Sequence, residues 1–235
     1  MKKRILEVKG LNVRIGDNEI LRNINFKVSR GDVLAVIGPN GAGKTILLKA
    51  LLGLVPYKGR ISLDRGIRIG YVPQRINLDP YMRITVNDLF NIKRSVLKLP
   101  ESSVREVMKS IPLKEEVLGR PLVNLSGGDL QRVMIIFALI GDPELLLFDE
   151  PTANVDLPGE ETIHESFSRI RKEKDITLIL VSHDLSIVDQ HANQVLCINK
   201  DMVCAGGTYK MLEPGVLKRL FGSKVLYRHK GHNHY

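Results

Sequence analysis

The chain has 235 residues, of which 43% are hydrophobic and 26% charged, and its formal net charge at pH 7 is +9. This composition predicts one domain or two close subdomains and excludes an intrinsically disordered protein. No apolar run approaches the roughly 18–20 residues of a membrane span, and the alternating start lacks the apolar core of a signal peptide, so we expect a soluble, cytoplasmic protein. The basic residues are spread along the chain, which fits a face near anionic lipid at least as well as a nucleic-acid partner.

Residues 4–30 alternate apolar and polar side chains, and turn signals occur near Gly10 and at Gly16-Asp17-Asn18. Such alternation between turn signals is typical of antiparallel strands. The pattern predicts a β-meander with the three strands Ile5–Val8, Leu11–Ile15 and Asn23–Val28.

A glycine-rich stretch, Gly38-Pro39-Asn40-Gly41-Ala42-Gly43-Lys44-Thr45, follows a predicted buried strand over residues 32–37 and precedes a predicted helix over residues 46–52. It matches the P-loop pattern in full, which argues against a glycine turn followed by a chance Lys-Thr pair. Such a loop turns its N–H groups inward at the positive end of a helix dipole and binds phosphate. We expect Lys44 to contact the β- and γ-phosphates of a nucleotide and the Thr45 hydroxyl to bind Mg²⁺.

Two polar residues follow predicted parallel strands elsewhere in the chain. Gln74 comes after the strand over residues 68–72, and His183 comes after the strand over residues 176–181. Carboxyl ends of parallel strands meet at the edge where a P-loop opens, so Gln74 could reach the nucleotide's metal or water, and His183 the γ-phosphate. The plainer alternatives are a solvated loop glutamine and a structural histidine.

The apolar strand within residues 143–150 ends in two carboxylates, Asp149 and Glu150. A strand that brings an aspartate to the sheet edge beside a P-loop completes an NTPase site. We expect Asp149 to hold Mg²⁺ directly or through water, and Glu150 to act as general base on the attacking water. The alternative is a strand that ends in solvated acids.

Residues 84–140 show helical periodicity, with a candidate N-cap at Thr85 and Asp88 three residues later. Ser126 is a second candidate N-cap, and Gly127-Gly128 exposes N–H groups at a helix start. This is a second anion-binding geometry, although by itself the Ser-Gly-Gly sequence is more often an ordinary helix start.

The C-terminal part of the chain is predicted to contain a helix over residues 158–172, a hairpin with strands Gln194–Ile198 and Met202–Ala205, and a short helix from Pro214. Cys197 and Cys204 would lie opposite each other in this hairpin. A cytosolic location favours two reduced, buried thiols over a disulfide.

The last nine residues contain three of the six histidines, His229, His232 and His234. Imidazoles are good ligands for Zn²⁺, so the tail is a candidate zinc site. A disordered, mildly basic terminus would have the same composition.

Taken together, the motifs resemble those of the ATPase subunits of ABC transporters over nearly the whole chain. The matching segments are Walker A (Gly38–Thr45), the Q-loop (Gln74), the signature (Leu125-Ser126-Gly127-Gly128-Asp129), Walker B with the catalytic glutamate (Leu145–Glu150), the D-loop (Ala153-Asn154-Val155-Asp156) and the switch histidine (His183). The signature ends in Asp129, whereas Gln is commonest at this position in the family. The position borders the phosphate contact and does not form it.

The resemblance implies an α/β fold, namely a P-loop NTPase with a RecA-like core, an N-terminal antiparallel β-subdomain and an inserted α-helical subdomain. The expected divisions are a single ABC ATPase domain over 1–222, with its core at about 1–82 and 141–222 and its insertion at about 83–140, and a tail over 223–235.

The resemblance also implies a head-to-tail dimer of two copies that sandwich ATP. In that dimer Ser126, Gly127, Gly128 and Asp156 contact the ATP bound to the other copy. Within one copy, Mg²⁺ is held by Thr45, Gln74 and Asp149, and hydrolysis depends on Glu150 with His183 at the γ-phosphate.

Within the family the chain is most similar to the ATP-binding subunits of zinc, or manganese and iron, importers. The similarity lies in its short length, in Arg68-Ile69-Gly70-Tyr71-Val72-Pro73-Gln74, and in the ending Leu226-Tyr227-Arg228-His229 with His232-Asn233-His234. This similarity implies a location on the cytoplasmic face of the membrane, with transmembrane permease subunits and an extracytoplasmic metal-binding protein as partners, and no nucleic acid. The alternatives are an importer for another substrate, a soluble ABC ATPase that acts on nucleic acid or ribosomes, and a non-catalytic regulatory cassette, which the intact motifs argue against.

One departure from the family leads to a prediction. The family usually stacks adenine on an aromatic residue before Walker A, and the corresponding position here is Ile15. An aliphatic side chain offers only apolar contact to the base. We expect Ile15→Tyr to increase the preference for ATP over GTP, measured as the ratio of their hydrolysis constants. Comparable constants for the variant and the native protein would contradict this role.

Overall fold

The computed structural model describes residues 2–150, 169, 176–183, 185–208 and 213–221. The elements within these ranges are β1 (Arg4–Ile15), β2 (Asn18–Ser29), β3 (Val33–Ile37), α1 (Lys44–Leu51), β4 (Lys58–Leu63), β5 (Ile69–Val72), α2 (Val86–Val96), α3 (Ser102–Ser110), α4 (Glu115–Leu118), a 3₁₀ turn (Leu122–Asn124), α5 (Gly127–Leu139), β6 (Leu145–Asp149), β7 (Thr177–Val181), α6 (Leu185–His191), β8 (Gln194–Asn199), β9 (Asp201–Gly207) and α7 (Pro214–Phe221). In the described part of the chain, no helix has the length and apolarity needed to span a bilayer.

The strands form one sheet in the order β4-β1-β2-β9-β8-β3-β7-β6-β5. Its core is parallel, because β3 pairs with β7 and β8, and β6 pairs with β5 and β7. Its other end is antiparallel, with β1 between β2 and β4. The two parts meet where Arg22 of β2 pairs with Asp201 of β9 and donates two hydrogen bonds to its carboxylate. This arrangement confirms the predicted mixed α/β fold.

The strands that carry the site are buried on both faces. Every residue of β3, β6 and β7 is buried, as expected for parallel strands covered on both sides. Alternate residues of β6 face opposite layers. Leu145 and Leu147 pack with α1 and the β-subdomain, whereas Leu146 and Phe148 pack with the helices of residues 86–139. The sheet therefore places α1 and the helical segment on opposite faces.

The predicted three-strand meander was wrong in one respect. Residues 4–15 form a single strand, and only Gly16-Asp17 forms a turn. At Gly10 the register between β1 and β2 shifts, and the glycine takes a φ of 56°. A glycine at positive φ accommodates a β-bulge, so the chain bends at Gly10 without leaving the sheet.

The prediction of two reduced thiols was also wrong. Cys197 and Cys204 are register partners in the hairpin of β8 and β9, as expected, but they form a disulfide. Their Cα atoms are 4.8 Å apart, a separation that a disulfide spans without backbone movement. Cys197 is buried and Cys204 is partly exposed.

The helical segment begins as predicted. Thr85 caps α2 by accepting a hydrogen bond from the Asp88 N–H, and the Asp88 carboxylate accepts one from the Thr85 N–H. Ser126 caps α5 in the same way through the Asp129 N–H. The helix predicted over 158–172 lies outside the described residues except at 169, and the predicted domain boundaries stay predictions.

The cap of α2 generates a stability prediction. Replacing Thr85 by Ala removes the side-chain acceptor at the first turn and should lower the free energy of unfolding by about 1 kcal/mol. Thr85→Ser keeps the hydroxyl and should remain close to the native value. Urea unfolding of the three proteins measures the difference, and equal losses in both variants would contradict the capping role.

Candidate nucleotide-binding site

The loop between β3 and α1 folds as a phosphate-binding loop does. Gly43 precedes α1 with a φ of 95°, which other residues rarely adopt. A Cβ atom at Gly43 would lie 2.6 Å from Leu21 Cδ2, and one at Gly38 would lie 2.1 Å from the Ile198 carbonyl oxygen. The loop can therefore pack against β2 and β8 only with glycine at these two positions.

Lys44 places its ammonium group inside this loop. The residue is buried at 6% exposure, and Nζ donates to the carbonyl oxygens of Gly38, at 2.9 Å, and Pro39, at 3.2 Å. Nζ also lies 3.3 Å from Glu150 Oε1. Lys44, which the sequence predicts to bind phosphate, is thus paired with the Glu150 carboxylate of the same chain.

Asp149 lies beneath the loop at the end of β6. Its Oδ1 accepts a hydrogen bond from the Thr45 hydroxyl at 3.0 Å, and its Oδ2 accepts one from the Tyr71 hydroxyl at 3.3 Å. Burial raises the pKa of the Asp149 carboxyl above its usual range, and the nearby Glu150 charge adds to this, while the two hydrogen bonds act in the opposite direction. The carboxylate is 1% exposed.

The pair of Thr45 and Asp149 fits Mg²⁺. Two oxygen ligands on adjacent corners of a magnesium octahedron lie about 3.0 Å apart, because each is roughly 2.1 Å from the metal. The Thr45 and Asp149 oxygens have this separation, and both are oxygen donors of the kind Mg²⁺ prefers.

Glu150 is held by groups from several strands. Gln74 Nε2 donates to Glu150 Oε2 at 2.7 Å, and His183 Nδ1 lies 3.8 Å from the same oxygen. The Glu150 N–H donates to the Val181 carbonyl at the end of β7. The residue has a φ of 46°, an uncommon conformation for a residue other than glycine that is found at functional sites.

Most of the predicted residues line one cleft of about 910 Å³, whereas Asp149 is not among its lining residues and is joined to it through Thr45. The predicted residues that line it are Ile15, Gly38, Pro39, Asn40, Gly41, Ala42, Gly43, Lys44, Thr45, Gln74, Glu150 and His183. Ile15 is 47% exposed at the cleft, and the His183 side chain is 57% exposed. The structure therefore brings together side chains that lie up to 168 positions apart in the chain.

Sequence reasoning did not identify four further residues that line the cleft, namely Ile20, Ile46, Arg75 and Phe221. It also missed the contact of Tyr71 with Asp149. Strand alternation could have indicated Tyr71, since it faces the same side of the sheet as Leu147 and Asp149. Phe221 belongs to α7, far along the chain, and no sequence pattern links that helix to the P-loop.

The signature residues Ser126, Gly127 and Gly128 are not among the residues that line this cleft. Gly127 borders a separate cavity of about 280 Å³, which Gln74 and Glu150 also line. The Ser126 hydroxyl donates to the Asp129 carboxylate at 2.8 Å, and Asp129 also accepts from Arg132. Asp129 therefore contributes to the start of α5 as a partner of Ser126.

Two predicted groups lie outside the described residues. They are Asp156 of the D-loop and the three tail histidines, His229, His232 and His234.

Comparison with known proteins agrees with this geometry. Residues 21–153 match the family model described as ABC transporter. A protein of Thermotoga maritima named probable metal transport system ATP-binding protein is 39% identical over 93% of this chain and 90% of its own length. The zinc import ATP-binding protein ZnuC of Mannheimia succiniciproducens is 35% identical over 100% of this chain and 89% of its own length.

Solved structures show the same fold. A chain of a metal-chelate type ABC transporter in an inward-facing conformation superposes with a TM-score of 0.82 and 26% identity, over 93% of this chain and 89% of that one. The cbiO1 protein of Clostridium perfringens, part of the ABC transporter complex cbiONQ, gives a TM-score of 0.76 and 29% identity, over 93% and 94%. The family match covers more than half of the chain and includes the P-loop, the signature and the two carboxylates. The chain therefore belongs to the ABC transporter family and is an ATPase.

Proposed function

We propose that the chain is the nucleotide-binding subunit of an importer that uses ATP to take up a divalent metal ion, with zinc as the first candidate. The observation that supports the chemistry is the convergence of Lys44, Gln74, Glu150 and His183 on one cleft. The choice of substrate is supported by relatives named for metal transport and zinc import. These names favour an importer over an ATPase that acts on nucleic acid or ribosomes.

The first step is an exchange of partners at Lys44. In the structure the ammonium group contacts two carbonyl oxygens and the Glu150 carboxylate. The β- and γ-phosphates of ATP carry more negative charge than one carboxylate and meet the inward N–H groups of the loop. Binding of ATP therefore draws Lys44 toward phosphate and releases Glu150 from its cation.

The released Glu150 is the group proposed to take the proton from water. A carboxylate next to the γ-phosphate can accept that proton as the phosphoryl group is transferred. Gln74 holds the other side of Glu150, so it can orient both the carboxylate and the water. His183 lies at the same end of the cleft and is placed to contact the γ-phosphate.

Thr45 and Asp149 are proposed to hold Mg²⁺ with the nucleotide, with Gln74 as a further ligand. When bound, the ion neutralises charge on the β- and γ-phosphate oxygens. The chain contributes two oxygen donors, Thr45 at the start of α1 and Asp149 at the end of β6. Their oxygens lie 3.0 Å apart, which is the separation of adjacent ligands around Mg²⁺.

A second copy is proposed to close the site. Ser126, Gly127 and Gly128 present a helix N-terminus outside their own cleft, and such a terminus binds anions. A head-to-tail dimer would place it, with Asp156, over the γ-phosphate held by the other copy. Permease subunits would hold the pair at the cytoplasmic face of the membrane, and an extracytoplasmic protein would deliver the metal ion.

The role of Glu150 can be tested by Glu150→Gln. Loss of the general base should slow ATP hydrolysis by about a hundredfold or more. Nucleotide should bind at least as tightly, since the variant removes the charge that competes for Lys44. Steady-state ATPase assays and equilibrium binding of a fluorescent ATP analogue measure the two effects.

Glu144→Gln is the matched control for this experiment. Glu144 precedes the opposite end of β6, where its carboxylate accepts a hydrogen bond from the Arg68 N–H, and its replacement should leave hydrolysis near the native rate. A Glu150→Gln protein that hydrolyses ATP at a near-native rate would refute the assignment.

The transport function can be tested by identifying the genes that adjoin this one and co-expressing the chain with any permease and binding protein found there. We expect uptake of radioactive zinc in metal-depleted cells, and no uptake when the chain carries Glu150→Gln. Uptake of manganese or iron but not zinc would support the alternative importer. Absence of neighbouring permease genes, together with salt-sensitive nucleic-acid binding, would refute the importer.

A further inference from the structure

Tyr71 brings a hydroxyl group to the metal-binding carboxylate, and none of the sequence motifs accounts for it. Its ring is partly buried against the apolar cluster on the α1 side of the sheet. Its hydroxyl donates to Asp149 Oδ2, while Thr45 donates to Asp149 Oδ1. Each oxygen of the buried carboxylate therefore has a donor of its own, one from the P-loop helix and one from β5.

The register of the parallel strands explains how Tyr71 reaches this position. Tyr71 lies opposite Leu147, and Asp149 is two residues further along β6 on the same face. Two residues of a strand span about 6.6 Å. A tyrosine hydroxyl bridges this offset, whereas a serine or threonine hydroxyl at the same position would not.

We propose that Tyr71 is a positioning residue for the magnesium-binding aspartate, because its hydroxyl fixes Oδ2 and so keeps Oδ1 directed toward Thr45 and the metal. This inference rests on the proposed magnesium site at Thr45 and Asp149. Asp149 is 1% exposed, so solvent does not readily replace a lost donor, and a buried oxygen without a partner favours rotation of the carboxylate.

The tyrosine is well suited to this role. A tyrosine hydroxyl can act as a hydrogen-bond donor, and here it donates to Asp149 Oδ2. The hydroxyl is uncharged, and it is a weaker metal ligand than the Asp149 carboxylate. Its function is therefore one of geometry, distinct from that of Thr45, which contacts both the carboxylate and the proposed metal position.

The experiment uses Tyr71→Phe, which keeps the ring and removes only the hydroxyl. The affinity of the full chain for a non-hydrolysable ATP analogue is measured in EDTA and across a Mg²⁺ titration. Mn²⁺ binding to the same complex is followed by its EPR signal. Tyr81→Phe is the matched control, because it removes a hydroxyl at a residue that is 89% exposed and does not line the cleft.

We expect Tyr71→Phe to weaken Mg²⁺ and Mn²⁺ binding by about five- to tenfold, which lies within the range of net contributions from a typical hydrogen bond. Nucleotide affinity in EDTA should be unchanged, and Tyr81→Phe should match the native protein in both measurements. A general loss of structure would weaken metal-free binding as well, so this pattern identifies a positioning role.

Two results would overturn the inference in distinguishable ways. One result is that Mg²⁺ strengthens nucleotide binding at least as much in Tyr71→Phe as in the native chain. In that case Tyr71 does not position the aspartate. If Asp149→Asn retains the native response to Mg²⁺, the magnesium site itself is wrong, and the role of Tyr71 falls with it.

Discussion

The pairing of Lys44 with Glu150 is the interaction on which the rest of the site depends. Lys44 is almost fully buried, and a charge removed from water is strongly unfavourable unless it is paired and hydrogen-bonded. Two loop carbonyls and the Glu150 carboxylate meet that requirement. The proposed general base thus contacts the same ammonium group that we propose binds phosphate.

In the proposed mechanism, this pairing couples nucleotide binding to the release of the Glu150 carboxylate. A ligand shifts an equilibrium only through a difference in its affinity for the two states, and here the difference is electrostatic. In the proposed mechanism, phosphate competes with Glu150 for the Lys44 ammonium, so nucleotide binding would release the proposed general base. The hydrogen bond from Gln74 to Glu150 connects the same carboxylate to residues 75–85, which lead into the helical segment. Movement of that segment could therefore reach the proposed base without passing through the P-loop.

The position of the signature residues has a separate physical basis. The α5 N-terminus lies in the helical segment, on the face of the sheet opposite α1, while the P-loop cleft opens at the end of the strands. One chain therefore carries two anion-binding helix starts directed to different places. A nucleotide that lies between two copies would contact one helix start of each, so this arrangement supports the proposed dimer.

Local patterns were sufficient to predict much of the site. The P-loop requires glycine at fixed positions and a strand and helix on either side, and these are local features of residues 32–52. The caps at Thr85 and Ser126 are likewise local, since side chain and backbone lie three residues apart. The carboxyl-terminal placement of Gln74, Asp149 and His183 followed from the rule that parallel strands end at a common edge.

Tertiary structure decided what depends on contacts between distant segments. Pairing of β1 with both β2 and β4 converted a predicted turn at Gly10 into a bulge, and the register of β8 with β9 brought Cys197 and Cys204 within disulfide range. The same holds for Tyr71 on Asp149 and for Glu150 on Lys44, which join residues 78 and 106 positions apart. The amino-acid sequence thus determined which chemical groups the ATPase has and at which strand ends they lie. Only the packed sheet decided their partners, because hydrogen bonds and ion pairs form over distances of about 3 Å, which the chain reaches only once its strands are in register.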